Sequence, residues 1–401
     1  MSAMIETPDR LEPMRLGDQS TGAINDVLAE LAFKAGRLDN ALRGRLQVEA
    51  ADLVRLMNCY YSNLIEGHRT RPRDIAAAVE GRLSDDPAQR DLQLEARAHI
   101  IVQRAIDARF HAGTLGDPTA PDFIRWLHQD FYAQVPAGFR VLEGKTGRLD
   151  MTPGVFRHDP RHDVEVGRHI PPSSDRVGAF MDRFHEVYRE RAGQAARARL
   201  IDIPAAHHRF AYIHPFPDGN GRVGRLMTHA MFLKAGMGAG GLWSISRGLA
   251  RGLESREEYK QMLAMADSPR QGDRDGRGNL SLQALQAFTL WFLKVALDQV
   301  EFMTGLFDLD TFAVRLRRVV ESDPELDPRG AALLEATLMR GELQRGEAAG
   351  LTGLGDRMAR TILGQLTARG LLTSDTPKGP VRIGLPADHV DQLFPRLFYE
   401  T

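Results

Sequence analysis

Apolar residues recur at spacings of three and four along most of this chain, and that period confines it to a mainly helical fold. Over 46–66, Leu46, Ala50, Leu53, Met57, Tyr60 and Leu64 fall on one stripe of a long helix. The same reading predicts helices over 73–81, 88–111, 120–133, 175–191, 197–213, 221–235, 256–266 and 281–304, punctuated by Gly67, Pro72, Pro87, Pro136, Gly138, Pro171, Pro172 and Pro204. One stretch breaks the pattern. Residues 151–170 hold short β-prone pieces around a polar His, Asp and Arg tip, which predicts a small hairpin.

Acids and prolines over 306–329 interrupt the helical run and read as a linker. Beyond it, helices are predicted over 330–341, 345–350 and 356–369, with a turn at Thr352–Gly355 and strands at Leu371–Thr373 and Val381–Gly384. Helix, helix–turn–helix, then hairpin is the winged-helix order.

Composition limits the function classes. The 401 residues carry 52 Lys and Arg against 53 Asp and Glu, so neither a basic nucleic-acid coat nor an acidic tail is expected. The single cysteine, Cys59, excludes a disulfide framework and a cysteine-built zinc site. No apolar run is long enough for a transmembrane helix. The first residues, MSAMIETPDRLEP, lack the apolar core of a signal peptide, so a cytoplasmic protein without a membrane partner is expected.

The densest chemistry lies at 214–225, His-Pro-Phe-Pro-Asp-Gly-Asn-Gly-Arg-Val-Gly-Arg. Gly219 and Gly221 flank Asn220 where a loop becomes a helix. Glycine lets backbone N–H groups approach an anion, and the helix N-terminus adds its free donors and positive dipole end. Arg222 and Arg225, three apart, share a face, and their guanidinium forks suit phosphate oxygens. Asp218 beside expected phosphates reads as a magnesium ligand. His214 is the side chain there that can take a proton near neutral pH. Together these residues spell a nucleotide-phosphate cradle with an attached base.

This stretch resembles the Fic (Fido) signature HPFx[D/E]GNGRxxR, with every specified position present. The resemblance extends to 205–216, to Gly154–Arg157 with Pro171 and Pro172 (the flap over the target site), to Trp243–Gly248 and to Arg256–Tyr259, covering roughly residues 45–305. It implies transfer of AMP from ATP, with magnesium, to a Tyr, Thr or Ser hydroxyl of a target protein, or of the enzyme itself. By position, His214 would be the general base and Asp218 the magnesium ligand. Gly219, Asn220 and Gly221 would cradle the α- and β-phosphates, Arg222 and Arg225 would bind the β- and γ-phosphates, and Phe216 would be a core anchor. Tyr259 would lie near the adenine; the second tyrosine common there is Lys260 here. The implied architecture is a mainly α Fic fold with a short β-hairpin flap and a winged helix-turn-helix domain. The corresponding parts are an N-terminal helical region (1–115), the Fic domain (116–305), the linker (306–329) and the winged helix (330–401).

Residues 62–67, Ser-Asn-Leu-Ile-Glu-Gly, form a second motif. Ser62 and Glu66 are one turn apart, and Gly67 offers a helix stop. A glutamate at a helix C-terminus faces the negative dipole end, a broken local rule of the kind found at functional positions. The stretch resembles the family's inhibitory motif, [S/T]xxxE[G/N], in which the glutamate pairs with the second motif arginine, here Arg225, and blocks the γ-phosphate. Dimerisation is common in the family, but no coiled-coil seam is visible.

Other features read more plainly. His207 is expected to be structural. His158, His162 and His169 alternate with Arg and Asp on an exposed segment and are expected to be solvated rather than metal-bound. Gly144, Lys145 and Thr146 look like the end of a P-loop, but the required glycine is Phe139. In the winged helix, Arg357, Arg360, Arg369, Lys378 and Arg382 could meet DNA phosphates, but acids equal bases over 311–401, which also suits a protein-docking module. The rival functions are removal of AMP with Glu66 orienting water, transfer of another nucleotide such as UMP, and a DNA-binding regulator that senses nucleotide without turnover.

Overall fold

The computed structural model describes residues 6–144 and 147–398; Lys145 and Thr146 of the rejected P-loop lie outside it. The chain is mainly helical and forms two compact units. One comprises the residues up to Phe33, Asn58–Gly238 and Ser244–Gln299; the other comprises Lys34–Met57, Ala239–Trp243 and the chain from Val300 onward.

In the first unit, the lead-in helix Ala196–Ile213 and the motif helix Asn220–Lys234 are buried along most of their length. Ile201, Ala205, Ala206, Phe210, Val223, Leu226 and Met227 are almost fully inaccessible to water. Pro204, expected to punctuate, lies inside the lead-in helix. Burial on most faces offsets the backbone bond that a mid-helix proline forfeits, a cost of about 3 kcal/mol. The helices Pro87–His111 and Pro121–Ala133 complete the wall around the site.

The hairpin exists, but earlier than the sequence reading put it. Strands Val141–Gly144 and Gly147–Asp150 pair antiparallel, with Val141 opposite Asp150 and Leu142 opposite Leu149. Residues 151–170 hold only a bridge between Val166 and His169 and a single 3-10 turn, Pro160–His162. Pro153 and Pro160 have no N–H to give a ladder, and pairing in this segment stops at the reciprocal Val166 and His169 backbone bonds.

Among the described residues, the longer helices that were not anticipated are these. Gly22–Asp39 buries Leu28, Leu31, Ala35 and Leu38, a stripe that was legible. Ile245–Arg251 is capped by Ser244, whose side chain accepts from the Ser246 N–H. Leu309–Ser322 replaces most of the expected linker. Asp308, read there as a breaker, is its N-cap and accepts from the Thr311 N–H at 3.0 Å, while Pro324 and Pro328 lie beyond its end.

The second unit follows the winged-helix order: Gly330–Arg340, a short turn and helix over Arg345–Glu347 and Ala348–Thr352, then Asp356–Ala368 and strands Leu372–Thr373 and Arg382–Ile383. Leu343 adds a bridge to Val381. Two of the candidate DNA-facing cations are engaged locally: Arg369 by Asp323 and Glu325, and Arg382 by Asp375 and Glu342. No helix among the described residues is long and apolar enough to cross a membrane.

Candidate active site

The site is built where the lead-in helix stops. His214 caps that helix in the left-handed region (φ 49°, ψ 61°), its N–H donating to the Phe210 carbonyl at 3.0 Å. Such a conformation is uncommon for a residue with a side chain and persists only where the surroundings enforce it. The enforcement comes from Arg157. This fully buried guanidinium donates from Nε to the His214 carbonyl (2.8 Å), and from Nη2 to the carbonyls of Pro172 (2.9 Å) and Ile213 (3.2 Å). Its backbone N–H donates to the Pro215 carbonyl at 2.8 Å. The flap and the loop are thus pinned to one side chain. Burial, with Arg157 nearby, pulls the His214 pKa down to about 4, so the imidazole is neutral at physiological pH.

The rest of the loop is held from within and below. Asn220 closes a two-bond clamp on Phe216: Oδ1 accepts from the Phe216 N–H (2.8 Å) and Nδ2 donates to its carbonyl (2.7 Å). The Asn220 side chain therefore shapes the cradle from inside rather than pointing into it. Phe216 is fully buried and stacks on His128 with ring centroids 3.9 Å apart. His128 accepts from the Gly154 N–H at Nδ1 (2.9 Å), which leaves Nε2 to donate to the Asp218 carbonyl (3.2 Å). Burial lowers its pKa to about 4, in keeping with that neutral tautomer. Gly154 has φ +79°, and a Cβ there would press on Gln129 and the Arg125 carbonyl.

Asp218 is exposed. Its Oδ2 accepts from the buried Tyr132 hydroxyl at 2.7 Å, and its other carboxylate oxygen has no protein partner among the described residues. Tyr132 also fills the space against Gly219, where φ is +80° and any Cβ would touch the ring. Beside Asp218 opens a cleft of about 590 Å³, walled by Leu142 and Leu149 of the hairpin, by Arg157 and by Ile170. Among the described residues no three His, Cys, Asp or Glu side chains converge as a metal site. A cation here would need a ligand's oxygens in addition to Asp218.

The motif helix begins after its N-cap Gly219 without a side-chain cap, which leaves the positive end of its dipole without a capping acceptor from that residue. A carboxylate stands at that end. Glu66, just past the end of the helix Gly44–Ile65, reaches in with Oε1 2.6 Å from Arg225 Nη2, and a Cβ on Gly221 would collide with that oxygen. Arg225 is buried and also donates to the Ser62 hydroxyl (2.8 Å) and carbonyl (3.2 Å). Burial alone would raise the Glu66 pKa, but Arg225 outweighs it and holds the carboxyl below the usual range. Gly67, at φ +87°, provides the left-handed stop. Ser62, Glu66 and Gly67 therefore meet Arg225, Gly221 and the cradle in one place.

Tyr259, expected beside the adenine, is only 7% exposed. Its hydroxyl donates to His207 Nε2 (2.7 Å), and His207 Nδ1 donates to the Thr228 hydroxyl (2.7 Å), which passes on to the Gly224 carbonyl (2.7 Å). Arg225 also bonds the Tyr259 hydroxyl. Tyr259 thus braces the arginine from behind, and His207 is a buried link in that brace. His169, on the flap, ties to Asp267 (3.3 Å) and the Tyr212 carbonyl (2.7 Å), and His158 Nδ1 lies 3.0 Å from the Phe156 carbonyl.

Arg222 is engaged by partners the sequence reading did not name. It donates to Glu95 at 2.9 Å, with both side chains only 6% exposed, and Glu95 is 2.6 Å from His68 Nδ1. A signal was present: Glu95, His99 and Gln103 recur at spacing four on a buried helix face, where polar residues are unusual.

Against this geometry, the Fic/DOC family model matches residues 118–232. That stretch of the chain is a Fic domain. The chain is 37% identical over 148 residues to a protein adenylyltransferase Fic of Drosophila mojavensis, covering 35% of this chain and 28% of that one. It is 36% identical over 179 residues to the protein of the same name from Drosophila melanogaster, covering 44% and 32%. The chain thus spans about a third of the length of these curated relatives. A Fic family protein from Desulfovibrio desulfuricans G20 shares its fold, with a TM-score of 0.50 at 20% identity over 90% of this chain and 96% of the other.

Proposed function

We propose that this Fic protein transfers AMP from ATP to a hydroxyl of a target protein, and that Glu66 holds the activity low. The observation that carries this reading is the carboxylate at the mouth of the uncapped motif helix, paired with Arg225 where a phosphate would sit. An anion-binding pocket occupied by the protein's own anion is a site under restraint.

In this reading Gly219, Gly221 and the backbone of Asn220 cradle the phosphates, and Arg222 and Arg225 neutralise them. Tyr259 serves the nucleotide site by fixing Arg225. Asp218, with one free carboxylate oxygen at the cleft, would hold magnesium together with the nucleotide's phosphate oxygens; the bound ion would offset phosphate charge. His214 is neutral and able to accept the proton of an incoming hydroxyl, while Arg157 fixes its backbone. The cleft beside Asp218 has room for that side chain. A cytoplasmic setting, where ATP is abundant, suits the reaction.

The test uses Glu66→Gly protein with lysate and ATP labelled at the α- or the γ-phosphate. Protein labelling from the α-label alone supports adenylylation; from the γ-label, phosphorylation; from neither, a nucleotide sensor. UMP transfer is scored with labelled UTP, and removal of AMP by incubating the pre-labelled target with wild type, in which Glu66 could orient water. Self-modification is read from the same gel, and its dependence on protein concentration reports whether a second copy takes part.

For the second unit, DNA contact would rest on Arg357, Arg360 and Lys378, which are exposed and carry no carboxylate partner among the described residues. With Arg369 and Arg382 spent on ion pairs, the surface favours protein docking, and binding to duplex DNA at low salt would reverse that preference.

A further inference from the structure

Two arginines face the cradle, and each has its own carboxylate. Glu66 holds Arg225; Glu95, on the helix Pro87–His111, holds Arg222. The second pair is the more deeply buried, yet it is incomplete. Arg222 Nε is buried and meets no acceptor among the described residues, an unusual state for a guanidinium. His68 completes the group. Its Nδ1 lies 2.6 Å from Glu95 and 3.1 Å from Arg222 Nη2. The arginine can only donate, so with the His68 hydrogen given to Oε2 and that of Arg222 to Oε1 the two donors occupy different oxygens of Glu95 and compete for the charge of one carboxylate.

We propose that Glu95 is a second carboxylate restraint on the nucleotide site: it withholds Arg222 from the phosphates, and His68, by competing for Glu95, sets how firmly it does so. The inference rests on the adenylyl-transfer reading of the cradle. Removing Glu66 then frees Arg225 alone and leaves Arg222 shared with Glu95. A buried arginine released from its carboxylate gains most from an incoming triphosphate, since the ligand supplies the missing counter-charge. The charged groups facing His68 are Glu95 from one helix, Arg222 from the motif helix and Glu66 at the end of its own. The hydrogen bond to Glu95 raises its pKa above the ordinary histidine value. Protonated, it draws Glu95 closer and repels Arg222 toward the ligand.

The test is calorimetric titration of full-length protein with MgATP, which needs no turnover. In the Glu66→Gly background, Glu95→Gln should tighten Kd by about tenfold. A weaker or unchanged Kd overturns the proposal and makes Glu95 a positioning residue for Arg222 or a bystander. Should Glu95→Gln fail to fold, the half-exposed His68 carries the test. Kd of Glu66→Gly should tighten as pH falls from 8.5 to 6, by about threefold more than for Glu66→Gly/His68→Asn, a comparison that cancels the titration of ATP itself. Superimposable pH profiles overturn the proposal. Absence of MgATP binding in Glu66→Gly, with a normal melting transition, removes the reading beneath it.

Discussion

Arg157 and His214 are 57 residues apart in sequence, yet the guanidinium of one holds the backbone carbonyl of the other at 2.8 Å. The arginine never meets the imidazole's ring nitrogens; it fixes the left-handed residue that carries them. Arg157→Ala should leave three buried carbonyls unpaired and let the base drift. Target labelling by Glu66→Gly protein should then fall by roughly 10²-fold, with the MgATP Kd within about threefold of its starting value. A large loss of nucleotide binding instead would show that Arg157 supports the cradle and not the base.

Glu66→Gly should raise labelling by at least about tenfold, the equivalent of roughly 1.4 kcal/mol of released restraint. Ser62→Ala should raise it less, since Arg225 keeps Glu66. Because the Glu66 pKa lies below the ordinary value of 4.5, the ion pair is fully formed above that pH and is lost only as pH falls through the depressed value. The factor by which Glu66→Gly exceeds wild type, a ratio that cancels titration elsewhere, should therefore not shrink between pH 8 and 5.5.

His214→Ala in the Glu66→Gly background should cost roughly 10²–10⁴-fold in kcat while MgATP still binds. The free-protein pKa of about 4 places the acid limb of kcat/KM far below that of an ordinary histidine. An acid limb near pH 6.5 would assign the titration to a different group.

Burial holds His99 and His207 neutral down to about pH 3, and His128 and His214 down to about pH 4, against 6.5 for the unfolded chain. As pH drops below 6.5 the unfolded state binds protons that the folded state refuses, so stability falls. Each group contributes up to about 1.4 kcal/mol per pH unit. His68, with its raised pKa, acts in the opposite sense. The melting temperature should thus decline steeply between pH 6.5 and 4, and replacing buried His99 with Gln should flatten the decline.

The candidate site was legible where it is local. Loop residues 214–225 and the turn at 62–67 stand out as motifs because their residues are consecutive, and helical periodicity placed most of the scaffold within two residues. Arg157 was legible only as part of the flap, and His128, Tyr132 and Glu95 not at all as site residues, because each acts across a long sequence gap through polar contacts that no spacing encodes. The hairpin was displaced because β propensity says nothing about which segment finds a partner. The helix Leu309–Ser322 was lost because an N-cap aspartate and a breaking one look alike until the following N–H groups are seen to bond it.

Glu66 stands one residue beyond the last turn of its helix, and Gly67 follows in the left-handed region. Helix ends are the cheapest parts of a fold to loosen. Peeling back that final turn would withdraw the carboxylate while the aromatic stack under the loop stayed intact, so under the proposed restraint Glu66 would act as a detachable peg rather than a keystone.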